Sequence, residues 1–309
     1  MKILVTGAGG FVGRYLLRLL QSHGHALCSL GIGGSYEMDI PVHEVDILDC
    51  DAVQEVMQQE QPDAVIHLAA MANVGASWDK PALTLDVNVR GTVNVLQSLH
   101  EACPAARFLN IGSSDEYGLA AKCGQPLTED MPCLPQNPYS VSKLCAEQTV
   151  LLLGRKYGMR VVSTRSFNHF GAGQARGFAV SDFAAQIAAM EKGMQDAVLR
   201  VGDLSAARDF TAVEDVVAAY AALVEEDVPS GVYNVCSGNA RKISDMLEEL
   251  VQLSNLKIEV QVDPAKLRPV DVPCFVGCAD KLREATGWKP VVPHKLGLQR
   301  ALDDWRSRQ

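Results

Sequence analysis

Residues 2–20, KILVTGAGGFVGRYLLRLL, constrain this chain more than any other stretch. Ile3 to Val5 is a short apolar run with the length and β-branching of a strand buried on both faces. Gly7, Gly9, Gly10 and Gly13 follow directly, and Val12, Leu16, Leu19 and Leu20 then recur at helical spacing. The expected order is strand, glycine turn, helix. Such a helix leaves its first N–H groups unpaired at the positive end of its dipole, where a pyrophosphate docks if no Cβ blocks the approach. The spacing Gly7-x-x-Gly10-x-x-Gly13 is a variant of the dinucleotide fingerprint, so Gly7, Gly10, Phe11, Val12 and Gly13 are the first candidates for cofactor contact.

A chain of 309 residues suits one large domain, or one with a smaller lobe attached. Its formal charge of −9 and its lack of a basic block argue against a nucleic-acid partner, though not against a small anion held by a few arginines. No apolar run approaches the roughly 20 residues of a membrane span, and no charged-then-apolar leader precedes the first strand. A cytoplasmic location away from membranes is expected. The cysteines number nine, an odd count with no C-x-x-C pair, which fits reduced thiols. The seven histidines lack H-x-x-x-H and H-E-x-x-H spacing, so no metal site is legible.

Along the chain, Ala26–Leu30 reads as a second strand and Val42–Val45 as a third. An NAD-binding fold usually ends its second strand with an acidic residue for the adenosine ribose, and an NADP-binding fold has a basic residue nearby. Here Leu30, Gly31, Ile32, Gly33 and Gly34 supply neither signal. NADP and NAD both remain expected. Asp46 and Ile47 either flank the adenine or, in the case of Asp46, cap a helix over residues 52–59. Residues 62–70, PDAVIHLAA, read as the next buried strand, and Leu68, Ala69 and Ala70 would let a cofactor lie against the backbone. His67 within that run reads as a satisfied core histidine rather than a catalyst. A helix over residues 81–99 and a fifth strand over 107–111 complete an alternation that implies a doubly wound parallel sheet, with ligands at the carboxyl ends of its strands.

Chemistry is therefore expected just past the fifth strand. Residues 112–118, GSSDEYG, lie there, and Tyr139-Ser-Val-Ser-Lys143 opens a long helix. Tyr139 and Lys143, four apart, share a helical face. A phenol is a poor acid–base catalyst at neutrality, and an adjacent ammonium lowers its pKa toward the working range. A serine hydroxyl nearby can bond the same substrate oxygen.

The segments TGAGGFVG, HLAA, GSSDEYG, YSVSK, RSFNHFG and ARDFTAVED together resemble the extended short-chain dehydrogenase/reductase superfamily of nucleotide-sugar epimerases, dehydratases and reductases. The resemblance spans essentially the whole chain. NHFGAGQARGFAVSDFA, RVGDLSAARDF, VYNVCSG and LRPVDVP are most similar to the reductases of GDP-4-dehydro-6-deoxy-D-mannose, relatives of the GDP-mannose 4,6-dehydratases. It implies an α/β fold with a Rossmann sheet over residues 1–165, and a smaller mixed substrate lobe over 166–309 from which later segments return to the first. It further implies hydride transfer from a nicotinamide to the C4 ketone of a GDP-sugar, giving GDP-D-rhamnose. Tyr139 would be proton donor, Lys143 its modulator and a partner of the nicotinamide ribose, and Ser113 the group orienting the carbonyl.

Ser114, Asp115 and Asn168 are assigned to the substrate. Arg208, expected in a turn before a helix over 213–224, and Arg268 are candidates to clamp the diphosphate, since a guanidinium fork matches phosphate bidentately. A dehydratase would need a further acid and base besides the tyrosine. Its Thr-Asp-Glu or Thr-Ser-Glu signature is replaced here by Ser113, Ser114 and Asp115, with Glu116 adjacent. An epimerase uses the same triad. A silent nucleotide sensor on this fold is the non-enzyme alternative, and the intact tyrosine–lysine pair argues against it. The helices around Val93 and Gln148 are expected to pair in a homodimer.

Overall fold

The computed structural model describes residues 1–34, 38–266 and 272–308. The chain begins with β1 (Lys2–Thr6), α1 (Phe11–Ser22), β2 (Ala26–Leu30), β3 (Val42–His43), α2 (Cys50–Glu60) and β4 (Ala64–His67). It continues through α3 (Val74–Asp79), α4 (Pro81–Leu85), α5 (Thr92–Ala102), β5 (Arg107–Ser113), α6 (Pro138–Tyr157) and β6 (Arg160–Ser166). Next come β7 (Asn168–Phe170), α7 (Ala179–Glu191), β8 (Val198–Val201), β9 (Ala207–Ala212), α8 (Val213–Glu225) and β10 (Gly231–Val235). β11 (Ala240–Lys242), α9 (Ile243–Gln252), β12 (Glu259–Val262), β13 (Cys274–Phe275), α10 (Asp280–Thr286) and α11 (His294–Arg308) follow.

Seven strands form one parallel sheet in the order β10-β6-β5-β4-β1-β2-β3. Both faces are covered, and the apolar runs sort by strand alternation. Ile3, Val5, Ala64 and Ile66 enter the core beneath α1 and α8, while Leu4 and Val65 enter the one beneath α2, α5 and α6. The winding direction reverses between β1 and β4, the place where doubly wound sheets open a ligand crevice.

α8 and β10, from the second half of the chain, complete this sheet and its cover. A smaller mixed sheet holds β11 antiparallel and β13 and β7 parallel to β9. β8 pairs with β12, and α7, α9 and α11 pack around β8 and β9 in a separate core. No helix of the described residues is long and apolar enough to cross a membrane.

Three local expectations are corrected. Arg208, Asp209 and Phe210 lie in strand β9, not a turn, because β11, β13 and β7 pair with them from elsewhere in the chain. Residues 81–99 are not one regular helix, since Asp86–Gly91 forms a π-helical segment between α4 and α5. The cap of α2 is Asp49, whose carboxylate accepts the Ala52 N–H at 3.1 Å, while Asp46 closes a two-residue turn onto the Leu48 N–H at 2.9 Å.

Candidate active site

The glycine turn lies across the switch point of the sheet. Gly7 has φ +67, and a Cβ on it would stand 2.9 Å from the Ala69 Cα at the end of β4. A Cβ on Gly13 would stand 2.2 Å from the Ala8 carbonyl oxygen, so only glycine lets α1 start so close to the turn that follows β1. At Gly10, the N-cap of α1, no side chain caps the helix, and a Cβ would meet only the Gly7 oxygen, at 3.3 Å. The first N–H groups of α1 are thus left to an anion, and these residues fit a dinucleotide pyrophosphate. Phe11 stacks on His169 with ring centroids 6.1 Å apart. Leu68 and Ala69 are fixed by hydrogen bonds to the Thr6 carbonyl and hydroxyl, both 3.2 Å. Ile47 is buried in the core against Gly91, where an added Cβ would come within 2.5 Å of the Ile47 Cδ1.

His67 is a core histidine. Its ring nitrogens lie 2.8 Å from the Thr6 hydroxyl and 3.0 Å from the Thr92 hydroxyl, and burial, with the Lys143 charge adding to it, pushes its pKa down to about 3.

Ser113 ends β5 and caps the short 3₁₀ turn Ser114–Glu116. Asn137 caps α6, whose first turn carries Pro138 and Tyr139, so the caps of two elements aim Ser113 and Tyr139 at one place. The Ser113 side chain lies near enough to the Tyr139 phenol to pull its pKa down against burial. Lys143 donates to the Ile111 carbonyl at 2.8 Å, and burial lowers its pKa to about 8 against an opposing pull from Glu116.

The phenol does not follow the expected direction. In the ligand-free chain burial raises the Tyr139 pKa well above the ordinary phenol value, the Asp115 charge adds to this, and the nearby Ser113 side chain opposes it. Lys143 is engaged with the strand backbone instead of the phenol.

Asp115 acts electrostatically on both Tyr139 and Arg208, and its own carboxyl is raised by burial, with Arg208 opposing. Arg208 donates to the carbonyls of Ala207 at 2.8 Å and Val272 at 3.0 Å. With Asn168, His169, Phe178 and Phe210 it lines a cavity of about 160 Å³. The next residue in β9, Asp209, points the other way and anchors the strand by accepting from Ser237 N at 2.8 Å and Gly238 N at 2.9 Å. Ser114 is buried. Arg268 lies outside the described residues.

Two features went unread in the sequence. Glu116 is fully buried beneath the Ser113 turn, accepting the Ser113 N–H at 2.7 Å, and it shares the Arg165 guanidinium with Glu147. Asn88, in the π segment, accepts from Met71 N at 2.8 Å and donates to Ser142 Oγ at 2.9 Å, and that hydroxyl donates to the Tyr139 carbonyl at 2.6 Å. A π-bulge often marks a functional site, but nothing in the local sequence announces one.

The model of the family described as GDP-mannose 4,6 dehydratase matches residues 4–301. The chain belongs to this family. It is 39% identical to GDP-6-deoxy-D-mannose reductase of Pseudomonas aeruginosa over 99% of its own length and 98% of that protein. It is similar to a solved structure of RMD from Pseudomonas aeruginosa complexed with NADPH, at 37% identity and a TM-score of 0.89, covering 100% of this chain and 99% of that one. It is also similar to UDP-glucose 4-epimerase of Thermus thermophilus in complex with NAD, at 29% identity and a TM-score of 0.88, covering 99% of each chain. This family member is an NAD(P)-dependent nucleotide-sugar oxidoreductase of the extended short-chain dehydrogenase/reductase superfamily.

Proposed function

We propose that this chain reduces the C4 ketone of GDP-4-dehydro-6-deoxy-D-mannose to GDP-D-rhamnose. The nicotinamide, when bound, supplies the hydride. Tyr139 gives its proton to the forming alkoxide, Ser113 holds the carbonyl oxygen, and Lys143 turns from Ile111 toward the phenol and the ribose. Asn168 and Arg208 bind the sugar-diphosphate end. A phenol whose pKa is raised in the free chain is fully protonated at neutrality, the state a reductase needs at the start of a turnover.

The observation that carries the reading is the position of the two carboxyls in the GSSDEYG turn. Elimination of water across C5 and C6 needs an acid and a base besides the tyrosine. Asp115 acts on Tyr139 and Arg208, whereas Glu116 is closed off beneath the turn with Arg165 and Glu147. That leaves Asp115 as the one carboxylate of this turn for the cleft, a methylene shorter than the glutamate of the dehydratase signature and with serine in place of its threonine.

A homodimer in the cytoplasm is part of the same reading. Leu83 and Leu85 on α4 and Val141 and Leu152 on α6 are exposed apolar side chains on neighbouring helices, as a helix-to-helix contact between two copies would need.

The test supplies GDP-4-dehydro-6-deoxymannose with NADPH or NADH and identifies the sugar product, while a parallel reaction supplies GDP-mannose with the oxidised cofactor. GDP-rhamnose from the first and no keto sugar from the second is expected. Keto-sugar formation from GDP-mannose, or a C4 epimer in place of rhamnose, would overturn the assignment.

A further inference from the structure

We propose that His23, His25 and Glu225 form a binding site for a divalent transition-metal ion, at the end of the sheet opposite the cleft. His23 Nδ1 lies 2.7 Å and His25 Nε2 lies 2.8 Å from one and the same oxygen, Glu225 Oε1. The three candidate ligand atoms all fall within 4.8 Å of one another. His23 follows α1, His25 precedes β2, and Gly24 between them has φ +81. That left-handed residue closes the turn between α1 and β2 and leaves both imidazoles directed at one carboxylate oxygen.

The third ligand is supplied from 200 residues away. Glu225 is the last residue of α8, at the negative end of the helix dipole, where a carboxylate is disfavoured unless a cation accompanies it. Arg107 answers part of that field by donating to the carbonyls of Val224, Glu225 and Glu226. The Glu225 side chain itself is met only by the two imidazoles among the hydrogen bonds and ion pairs of the described residues. The other charged group facing the cluster is the exposed Met1 amine, 3.4 Å from His25 Nδ1.

Two imidazoles with one carboxylate suit zinc, cobalt, nickel or copper in preference to magnesium or calcium, which favour all-oxygen sets. Ligand bonds of about 2.0–2.1 Å need donor atoms only a little farther apart than a hydrogen bond holds them, and partly exposed side chains can open by that amount. Water completes the shell. The bound ion would tie the α1–β2 junction to the end of α8, the two helices that cover one face of the sheet, so its effect is on stability and not on the reaction.

The experiment titrates the full chain with cobalt(II) near neutral pH, following visible absorption and heat, for the parent, His25→Ala and Glu225→Gln. The free cysteines are the competing ligands, and thiolate coordination announces itself by strong near-ultraviolet charge-transfer bands. One equivalent bound without those bands, affinity at least tenfold weaker in both variants, and a melting temperature raised by metal only in the parent are expected. Turnover should be unchanged. Binding that survives both substitutions, that carries thiolate bands, or that is not detected would overturn the site.

Discussion

The carboxyl of Glu116 accepts the backbone N–H of Ser113 at 2.7 Å from beneath the turn that carries the candidate catalytic serine. Its other oxygen lies 3.7 Å from Arg165 Nε, and Arg165 is itself held by both oxygens of Glu147, at 3.0 and 2.7 Å. Two buried carboxyls thus share one guanidinium. Burial and the Glu147 charge raise the Glu116 pKa well above its ordinary value, with Ser113 N–H and Arg165 opposing, so folding favours the protonated form of Glu116. Glu116→Gln preserves the acceptor for Ser113 and should leave turnover close to that of the parent. Glu116→Ala strands a buried N–H, at a cost of roughly 1–3 kcal/mol read in urea denaturation. A carboxyl raised by folding contributes stability that is lost as pH rises from the unfolded value toward the folded one. Glu116→Gln should therefore gain on the parent as pH climbs from about 4.3.

Replacing Tyr139 by phenylalanine removes the proton but not the ring. Turnover should fall on the order of 10² to 10⁴, the usual scale of a general acid, with NADPH affinity kept. Steady-state rates and a fluorescence titration of NADPH check both halves. Near-normal turnover would take Tyr139 out of the mechanism.

Lys143, brought down to about 8 by burial, loses its charge within the accessible range. If its ammonium helps to hold the cofactor, the dissociation constant of NADPH should rise as pH passes about 8. That dependence should vanish in Lys143→Met. Calorimetric titrations across this range decide it, and an unchanged profile in the variant would assign the effect to another group.

Arg208 is spent on three backbone carbonyls in the ligand-free chain and lines the same cavity as Asn168. A charge-assisted bond to phosphate contributes roughly 1.5–3 kcal/mol, so Arg208→Ala should weaken GDP binding about ten- to a hundredfold. Arg208→Lys should recover only part, because a point charge cannot replace the fork. Equal GDP affinity in all three proteins would move the nucleotide elsewhere.

Gly31 at the end of β2 offers neither a carboxylate to repel a 2′-phosphate nor a cation to attract one. Both NADPH and NADH should serve, with specificity constants less than about a thousandfold apart, or roughly 4 kcal/mol. A wider gap would point to Ser35, Tyr36 or Glu37, which lie outside the described residues.

What the sequence determined by itself was local and periodic. The strand at Ile3–Val5, the glycine turn and the amphipathic α1 follow from side-chain spacing and from the room that glycine leaves, and α6 begins where Asn137 and Pro138 cap it. Tyr139 and Lys143 share a face because helical geometry puts them there. The sharing of Arg165 by Glu116 and Glu147, the strand at Arg208, the π segment at Asn88 and the meeting of His23 and His25 with Glu225 were decided only in three dimensions. Each depends on partners drawn from distant parts of the chain. Strand pairing can override a local turn preference, and burial can hold a carboxyl neutral or push a phenol upward, because desolvation is a property of the packed interior and not of any short stretch of residues.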